Sequence, residues 1–356
     1  MASNQFGTQF SVTSFGESHG KHIGVIIDGC PSNIRIDLDG LQYELSRRRP
    51  GQSEVTTSRS EQDVFEITSG ILNGKTTGAP ITILIANKDA RSKDYDDIKN
   101  VYRPSHADFT YEKKYGNRDY KGGGRSSARV TAGWVAAGAL AKQILAKHFD
   151  IEISAYVSQI HTIVCPKSTE YSATKIENSL VRCPVDATSN KMIEAINAAK
   201  AEGDSLGGMV SCVIKNCPIG VGDPVFKKLN AQLAQGQFSI NAVKGFQIGS
   251  GFDSIVKKGS ELNDDWSFEN GRYYTTTNNS GGIQGGISNG MPITFDTAFK
   301  PTSTISQEQT TSNKQGEQIN LKIQGRHDPC VVPRAVPIVE AMAALTLIDF
   351  LVHRCQ

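Results

Sequence analysis

The strongest constraint on the fold of this chain is an internal duplication. Gly16-Glu-Ser-His-Gly20 is matched by Gly203-Asp-Ser-Leu-Gly207. The run from Ile23 to Pro31, ending Gly-Cys-Pro, is matched by the run from Val210 to Pro218, ending Asn-Cys-Pro. Both matches keep one spacing of 187 residues (16 to 203, 31 to 218). Next, Phe65-Glu-Ile-Thr-Ser-Gly70 is matched by Phe246-Gln-Ile-Gly-Ser-Gly251. Then Gly74-x-x-x-Gly-x-Pro-Ile-Thr82, followed by Lys88, is matched by Gly286-x-x-x-Gly-x-Pro-Ile-Thr294, followed by Lys300, at a constant 212 residues (74 to 286, 88 to 300). Chance could give one such match; four in one order mark a repeat.

Each unit, about 16–88 and about 203–300, reads alike. A β-branched run (Ile23–Asp28; Val210–Lys215) leads to a helix (about 38–48; about 223–236) and then to two more strands (Val64–Ser69 and Ile81–Ile85; Gly245–Ile248 and Ile293–Thr297). Two such units predict one pseudo-symmetric α+β body with helices between sheets. No Pro/Ser-rich linker divides the chain, so a single domain over 1–356 is expected. A central helix is expected to start at Ser126 or Ser127 and to bury Val130, Trp134, Ala137, Ala141, Ile144 and Leu145 on one stripe. A C-terminal helix is expected over about Arg334–His353, with Pro333 just before it.

The segment between the units carries the densest chemistry. Arg103-Pro-Ser-His-Ala-Asp108 is followed by Tyr-Gly-Asn-Arg-Asp-Tyr-Lys-Gly-Gly-Gly-Arg-Ser-Ser-Ala-Arg over 115–129. Glycines let backbone approach a ligand, a helix start offers free N–H groups to an anion, and arginine forks fit phosphate oxygens. A phosphorylated ligand with a proton donor nearby is expected there. Two further blocks, Phe15-Gly-Glu-Ser-His-Gly20 and Gly325-Arg-His-Asp-Pro-Cys330, are also dense in glycine and acid–base groups. The duplication supplies a control for His19. Its repeat mate is Leu206, so the fold position does not require histidine, and a functional role gains weight. His22, His148, His161 and His353 lie outside such blocks and are read as surface or structural.

Net charge is only +2, which gives no general basic field for nucleic acid, and aromatics do not interleave with the basic residues of the Gly-Arg tract. The sequence is read as having no apolar run long enough to span a bilayer, and no signal peptide. Seven scattered cysteines without CxxC spacing suggest free thiols in a reducing cytoplasm, and no metal site is expected.

The three blocks, in this order, resemble the signatures of the chorismate synthase family. So do Arg47-Arg-Arg-Pro-Gly-Gln52, Asn241-Ala-Val-Lys-Gly245, Gly281-Gly-Ile-Gln-Gly-Gly-Ile287 and Lys300-Pro-Thr-Ser-Thr304, and the resemblance runs from about residue 6 to about 352. It implies a β-α-β sandwich, and the 1,4-anti elimination of phosphate from 5-enolpyruvylshikimate 3-phosphate to give chorismate. It also implies reduced FMN as cofactor, with NADPH as the candidate reductant, and a homotetramer. No Gly-x-Gly-x-x-Gly opens a βαβ unit here, so whether the chain reduces its own flavin stays open.

By position in the family's motifs, His19 would protonate the departing phosphate, His106 would stand by the flavin ring, and Asp328 would assist removal of the substrate proton. Arg48, Arg59 and Arg129 would hold substrate or NADP phosphate. Flavin contacts would come from Arg125, Ser126, Ser127, Asn241, Ala242, Gly285, Lys300, Pro301, Thr302, Ser303, Thr304 and Arg326.

Four positions depart from the family's usual pattern. Ser105 stands where glycine is usual, and would be strained if its φ is positive. Glu54 stands where arginine is frequent, and would repel an anion. Val130 and Trp134 replace a glutamate and an arginine at i, i+4, so a charged pair has become an apolar one. That exchange makes a flavin- or phosphate-binding protein without turnover the alternative reading.

Overall fold

The computed structural model describes residues 4–49, 51, 62–88, 98–323 and 328–355. The first repeat supplies β1 (Gln5–Phe6), β2 (Ser11–Gly16), β3 (His22–Asp28), α1 (Leu38–Arg48), β4 (Phe65–Ser69), the hairpin β5 (Ile71–Leu72) and β6 (Lys75–Thr76), and β7 (Ile81–Ala86). The middle segment supplies α2 (Asp108–Tyr115), α3 (Thr131–Phe149), β8 (Glu152–Ile160), β9 (Ile163–Val164), α4 (Ala173–Glu177) and α5 (Asp186–Ala201). The second repeat adds β10 (Gly208–Lys215), α6 (Leu229–Phe238), β11 (Val243–Ile248), α7 (Gly259–Leu262), and the hairpins β12 (Trp266–Glu269)–β13 (Arg272–Thr275) and β14 (Ile283–Gln284)–β15 (Ile287–Ser288). It ends with β16 (Ile293–Phe299). The hairpin β17 (Gln309–Ser312)–β18 (Gln318–Leu321) and α8 (Val332–Leu351) follow.

Two antiparallel five-stranded sheets form, ordered β1-β2-β3-β7-β4 and β11-β16-β10-β8-β9. Read from β2 to β4 and from β8 to β11, the orders are equivalent, and the equivalence reaches the register. Ile23 faces Ile85 and Ile27 faces Ile81 in the first sheet; their repeat mates Val210 and Ile214 face Thr297 and Ile293 in the second. Even a loop hydrogen-bond pair is duplicated. Thr76 Oγ1 donates to Pro31 O and accepts from Ile34 N, and Ser288 Oγ donates to Pro218 O and accepts from Val221 N.

The inner faces carry Ile23, Val25, Ile27, Ile81, Ile83 and Ile85 on one sheet, and Val210, Cys212, Ile214, Ile293 and Phe295 on the other. All are buried. Between the sheets, α3 packs on β3 and β7, and α8 packs on β8 and β10. The two helices cross closely at Gly138, where an added Cβ would lie 2.4 Å from Ala341 Cβ. One hydrophobic cluster runs through both repeats and the helices between them. The architecture is therefore the expected α+β sandwich.

Several local expectations need correction. Residues 223–228 are not helical; the second repeat's helix begins at Leu229, after a turn in which Asp223 N bonds Lys227 O. The central helix does not start at Ser126 or Ser127. Two 3-10 turns, Gly124–Ser126 and Ala128–Val130, precede it, and Ser127 caps the second by accepting from Arg129 N. Its buried surface is not one stripe, because it lies between two layers and buries Ala132, Val135, Ala136, Ala139 and Leu140 as well. The last helix includes Pro333 in its first turn and Pro337 inside it. Contrary to expectation, Val332–Arg354 is long and apolar enough to cross a membrane by length and composition, but 89% of its apolar window is buried inside the protein.

Candidate active site

The two equivalent turns of the repeats each dock a different functional segment. In the first, Ser18 N bonds Gly124 O at 3.4 Å and Ser18 Oγ bonds Lys121 O at 3.5 Å, so the turn carrying His19 rests on the Gly-rich run. A side chain at 122 would be strained and would displace the His19 imidazole. The φ of Gly122 is +68°, and a Cβ there would lie 2.4 Å from His19 Cδ2. In the second, Leu206 N bonds Pro329 O at 2.8 Å and pairs with Cys330. The repeat mate of His19 thus anchors the segment that begins with Asp328.

Beyond the Gly-rich run, the Arg125 guanidinium donates to Ser14 Oγ, Ser14 O, Gly16 O and Asn4 Oδ1 at 3.0–3.3 Å, all neutral acceptors. Asn241 Nδ2 donates to Ser126 O at 2.8 Å, which ties the start of β11 to the same run. Lys300 N bonds Ala242 O at 2.9 Å, so Asn241, Ala242 and the Lys300–Thr304 loop are contiguous. Lys300 Nζ meets Ser303 Oγ. Its pKa is lowered by burial and by the like charge of Lys244, and among the described residues no carboxylate pairs with it. An anion held there would offset both effects.

The Lys300 loop also reaches the other two blocks. Thr302 Oγ1 donates to Asp328 O at 2.8 Å, and Ser205 Oγ donates to Thr302 O at 2.7 Å. Ser303 Oγ donates to Ser105 O at 3.3 Å, and His106 Nε2 lies 2.7 Å from Thr304 Oγ1. His106 Nδ1 is 2.9 Å from Pro104 O, which can only accept; Nδ1 therefore carries the hydrogen, and in the neutral ring Nε2 accepts from Thr304. Burial, then the charge of Arg103, lowers its pKa, which favours that neutral form. Asp108 fixes the loop by binding Arg103 at 2.8 Å through Nε and Nη2, and Arg118 at 3.0 Å.

Arg48 and Arg129, which the resemblance implies hold anionic groups of a ligand, converge on a protein carboxylate. Asp63 is buried; one oxygen lies 3.2 Å from Arg48 Nη2 and the other meets Arg129 Nη1. Arg48 is only 2% exposed, and its Nη1 donates to Ala128 O, Arg129 O and Thr131 Oγ1. Arg129 also donates to Asn87 Oδ1 at 2.8 Å. Asp328 meets Arg334, which bonds Arg48 O at 3.4 Å, so the C-terminal block joins this cluster. Asp63 and Arg334 carry no glycine-rich or histidine signal, and sequence reasoning missed both. Arg59 and Arg326, with Glu54, lie outside the described residues.

The family model for chorismate synthase matches residues 10–352. The chain belongs to the chorismate synthase family. It is 55% identical to the chorismate synthase of Cytophaga hutchinsonii over 352 residues, 98% of this chain and 97% of that protein. It is 56% identical to the chorismate synthase of Phocaeicola vulgatus over 348 residues, covering 98% and 97%. A chorismate synthase crystal structure matches with a TM-score of 0.78 at 30% identity, over 98% of this chain and 93% of that one.

Against the chorismate synthase pattern, three placements stand out. Ser105 has φ +57°, so a serine occupies the left-handed backbone where the family's glycine would be unstrained. Val130 and Trp134 both line a cavity of about 1090 Å³ that also reaches Arg125, Ser126 and Asn241. Gly285 is not brought to the other expected flavin contacts. It sits in the β14–β15 turn, where Gly286 O accepts from Leu229 N at the start of α6, whereas Asn241 follows the end of that helix. Ten residues of helix separate the two places by about 15 Å.

Proposed function

We propose that this chain binds reduced FMN and 5-enolpyruvylshikimate 3-phosphate where the His19 turn, the Gly-rich run and the Lys300–Thr304 loop meet. The observation that carries the reading is that loop: it touches Ala242, Ser105, His106 and Asp328, and so joins three blocks far apart in sequence. The reaction is the chorismate synthase reaction of the family, a carbon–oxygen lyase step. Phosphate leaves and a proton is lost in a 1,4-anti elimination that gives chorismate.

The residues fit the flavin cofactor. Lys300 and the hydroxyls of Thr302, Ser303 and Thr304 suit a phosphate, and Arg125 is a half-buried cation that, among the described residues, hydrogen-bonds neutral oxygens. Asn241 Oδ1 is buried without a partner among the described residues, as suits an acceptor awaiting a ligand N–H. When bound, reduced FMN supplies an electron-rich ring, with no net redox change. His19, seated on Gly122, donates a proton to the departing phosphate. His106, fixed between Thr304 and Pro104, would stand by the flavin ring and stabilise or protonate its reduced form. Asp328, steered by Arg334, is the carboxylate placed to handle the substrate proton. Arg129 holds an anionic group of the substrate, and Arg48, buried behind it, orients it through Asp63.

The reading extends to NADPH as an external reductant, with substrate or NADP phosphate held at the arginine cluster, to a cytoplasmic setting and to a homotetramer. Seven free, buried thiols support a reducing compartment. Exposed Ile219, Val225 and Phe226 support self-association.

Anaerobic incubation with chemically reduced FMN and the substrate tests the proposal, with phosphate and chorismate measured. His19→Ala should lower turnover by roughly 10²–10⁴-fold and leave oxidised FMN affinity nearly unchanged. Near-normal turnover in the variant would remove His19 from the acid role. FMN binding without phosphate release by the native protein would instead identify a flavin-binding relative without turnover.

A further inference from the structure

The hydrogen-bond bookkeeping of Ser14 has a consequence for the large cavity. Ser14, on β2, is 7% exposed and lines the cavity of about 1090 Å³. Its Oγ accepts twice, from Trp134 Nε1 at 3.1 Å and from Arg125 Nη1 at 3.3 Å. A serine hydroxyl has two acceptor sites and one donor. Indole and guanidinium N–H groups can only donate, so both acceptor sites are filled. The O–H must then donate, and among the described residues nothing accepts from it. The same cavity is lined by Asn241, whose Nδ2 is committed to Ser126 O, a carbonyl that can only accept. The amide orientation is thereby fixed, and Oδ1 is the buried acceptor without a partner among the described residues. Arg125 touches Ser14 and its neighbour Ser126 touches Asn241, so both groups are tied to one dipeptide and line the same cavity. Val130, Phe6, Met342 and the Trp134 ring give the cavity apolar walls.

We infer that Ser14 and Asn241 together read the imide edge of a flat heteroaromatic ring, Ser14 O–H donating to a ring carbonyl and Asn241 Oδ1 accepting from the ring N–H. Trp134 is the positioning residue that makes Ser14 an obligate donor. The cavity has apolar walls on one side and polar and charged side chains, Glu17, Lys114, Arg118 and Asp119 among them, elsewhere; at the apolar side the donor of Ser14 and the acceptor of Asn241 complement a pyrimidine-dione, the edge that a flavin presents. The inference rests on the flavin reading above and adds Ser14 and Trp134 to it.

Calorimetry with oxidised FMN and with N3-methyl-FMN, which lacks the imide N–H, tests this. Ser14→Ala and Trp134→Phe should each weaken FMN by roughly 2- to 10-fold, the usual effect of one hydrogen bond. The double variant should bind no more weakly than Ser14→Ala, since Trp134 acts through Ser14. Native protein should discriminate against N3-methyl-FMN, and Asn241→Ala should erase that discrimination. The native-protein arm needs no variant to fold. Equal binding of the two flavins, unchanged affinity in Ser14→Ala, or additive losses in the double variant would overturn the inference while leaving flavin binding intact. Failure of native protein to bind FMN at all would overturn both.

Discussion

At the residue scale, the His106 loop shows how a single position can store strain at a site. Ser105 holds φ +57° while its carbonyl accepts from Ser303, and the next residue sets its ring between Pro104 and Thr304. A non-glycine residue in the left-handed region costs about 1–2 kcal/mol, and glycine returns about 0.4–1 kcal/mol of that through its freer unfolded state. Ser105→Gly keeps the backbone carbonyl and should therefore raise stability by up to about 1 kcal/mol, read as a higher urea midpoint at an unchanged slope. A lower midpoint would show that the loop is not strained at this residue. The position was legible in the sequence as a departure from a family motif, but the sign of φ was not. Asp63 shows the opposite case. Nothing near it in sequence marks it, and only the fold brings Arg48 and Arg129 to its two oxygens.

At the element scale, the helices between the sheets are pinned by a buried ionic cluster. Glu340 of α8 is 2% exposed. It accepts from Arg47 at 2.6 and 3.0 Å, from Lys142 at 2.9 Å and from Ala155 N at 2.9 Å, which joins α1, α3, α8 and β8. Burial alone would raise its pKa, but the charges of Arg47 and Lys142 outweigh burial and hold it at about 2 rather than the ordinary 4.5. A depressed carboxylate contributes stability that is complete above its unfolded pKa and is lost as pH falls through the folded one. The contribution here is thus lost between about pH 4.5 and about 2. Glu340→Gln removes the carboxylate that Arg47 and Lys142 share, while Glu44 still pairs with both and Glu177 with Arg47, and should destabilise by about 1–3 kcal/mol at neutral pH. It should also flatten stability across that acid window. Equal acid sensitivity in native and variant proteins would show that Glu340 does not govern it. The strands were legible because β-branched runs between Gly and Pro are local signals, whereas the cap of α1, Asp37 accepting from Gly40 N, did not enter the sequence reading. The false helix at 223–228 and the single-stripe reading of α3 failed for one reason. Both were judged from local periodicity, while a turn hydrogen bond and burial between two layers decided the outcome.

At the scale of the whole molecule, two nearly equivalent halves produce one asymmetric site. Strand order, register and the Thr76 and Ser288 loop bonds repeat, yet His19 in one half answers to Leu206 in the other. The duplication was legible because matched spacings survive divergence. The use made of each half was not, because it depends on which segment docks on each turn. The same scale bears on Gly285, which stands apart from the other expected flavin contacts within one chain. The turn before α6 exposes Ile219 at 67%, Val225 at 67% and Phe226 at 93%. Three large apolar side chains so exposed on one short segment are better suited to an interface than to water. A homotetramer that buries them predicts a specific response. Phe226→Asp places a charge where it would be desolvated on assembly, which opposes association by several kcal/mol when unpaired. The side chain is nearly free of intramolecular contact, so the subunit's own fold should be unaffected. Sedimentation of the variant should show a smaller species than native protein at equal concentration, with an unchanged circular dichroism spectrum. An unchanged native tetramer would place the interface elsewhere, and a native monomer would overturn the assembly itself.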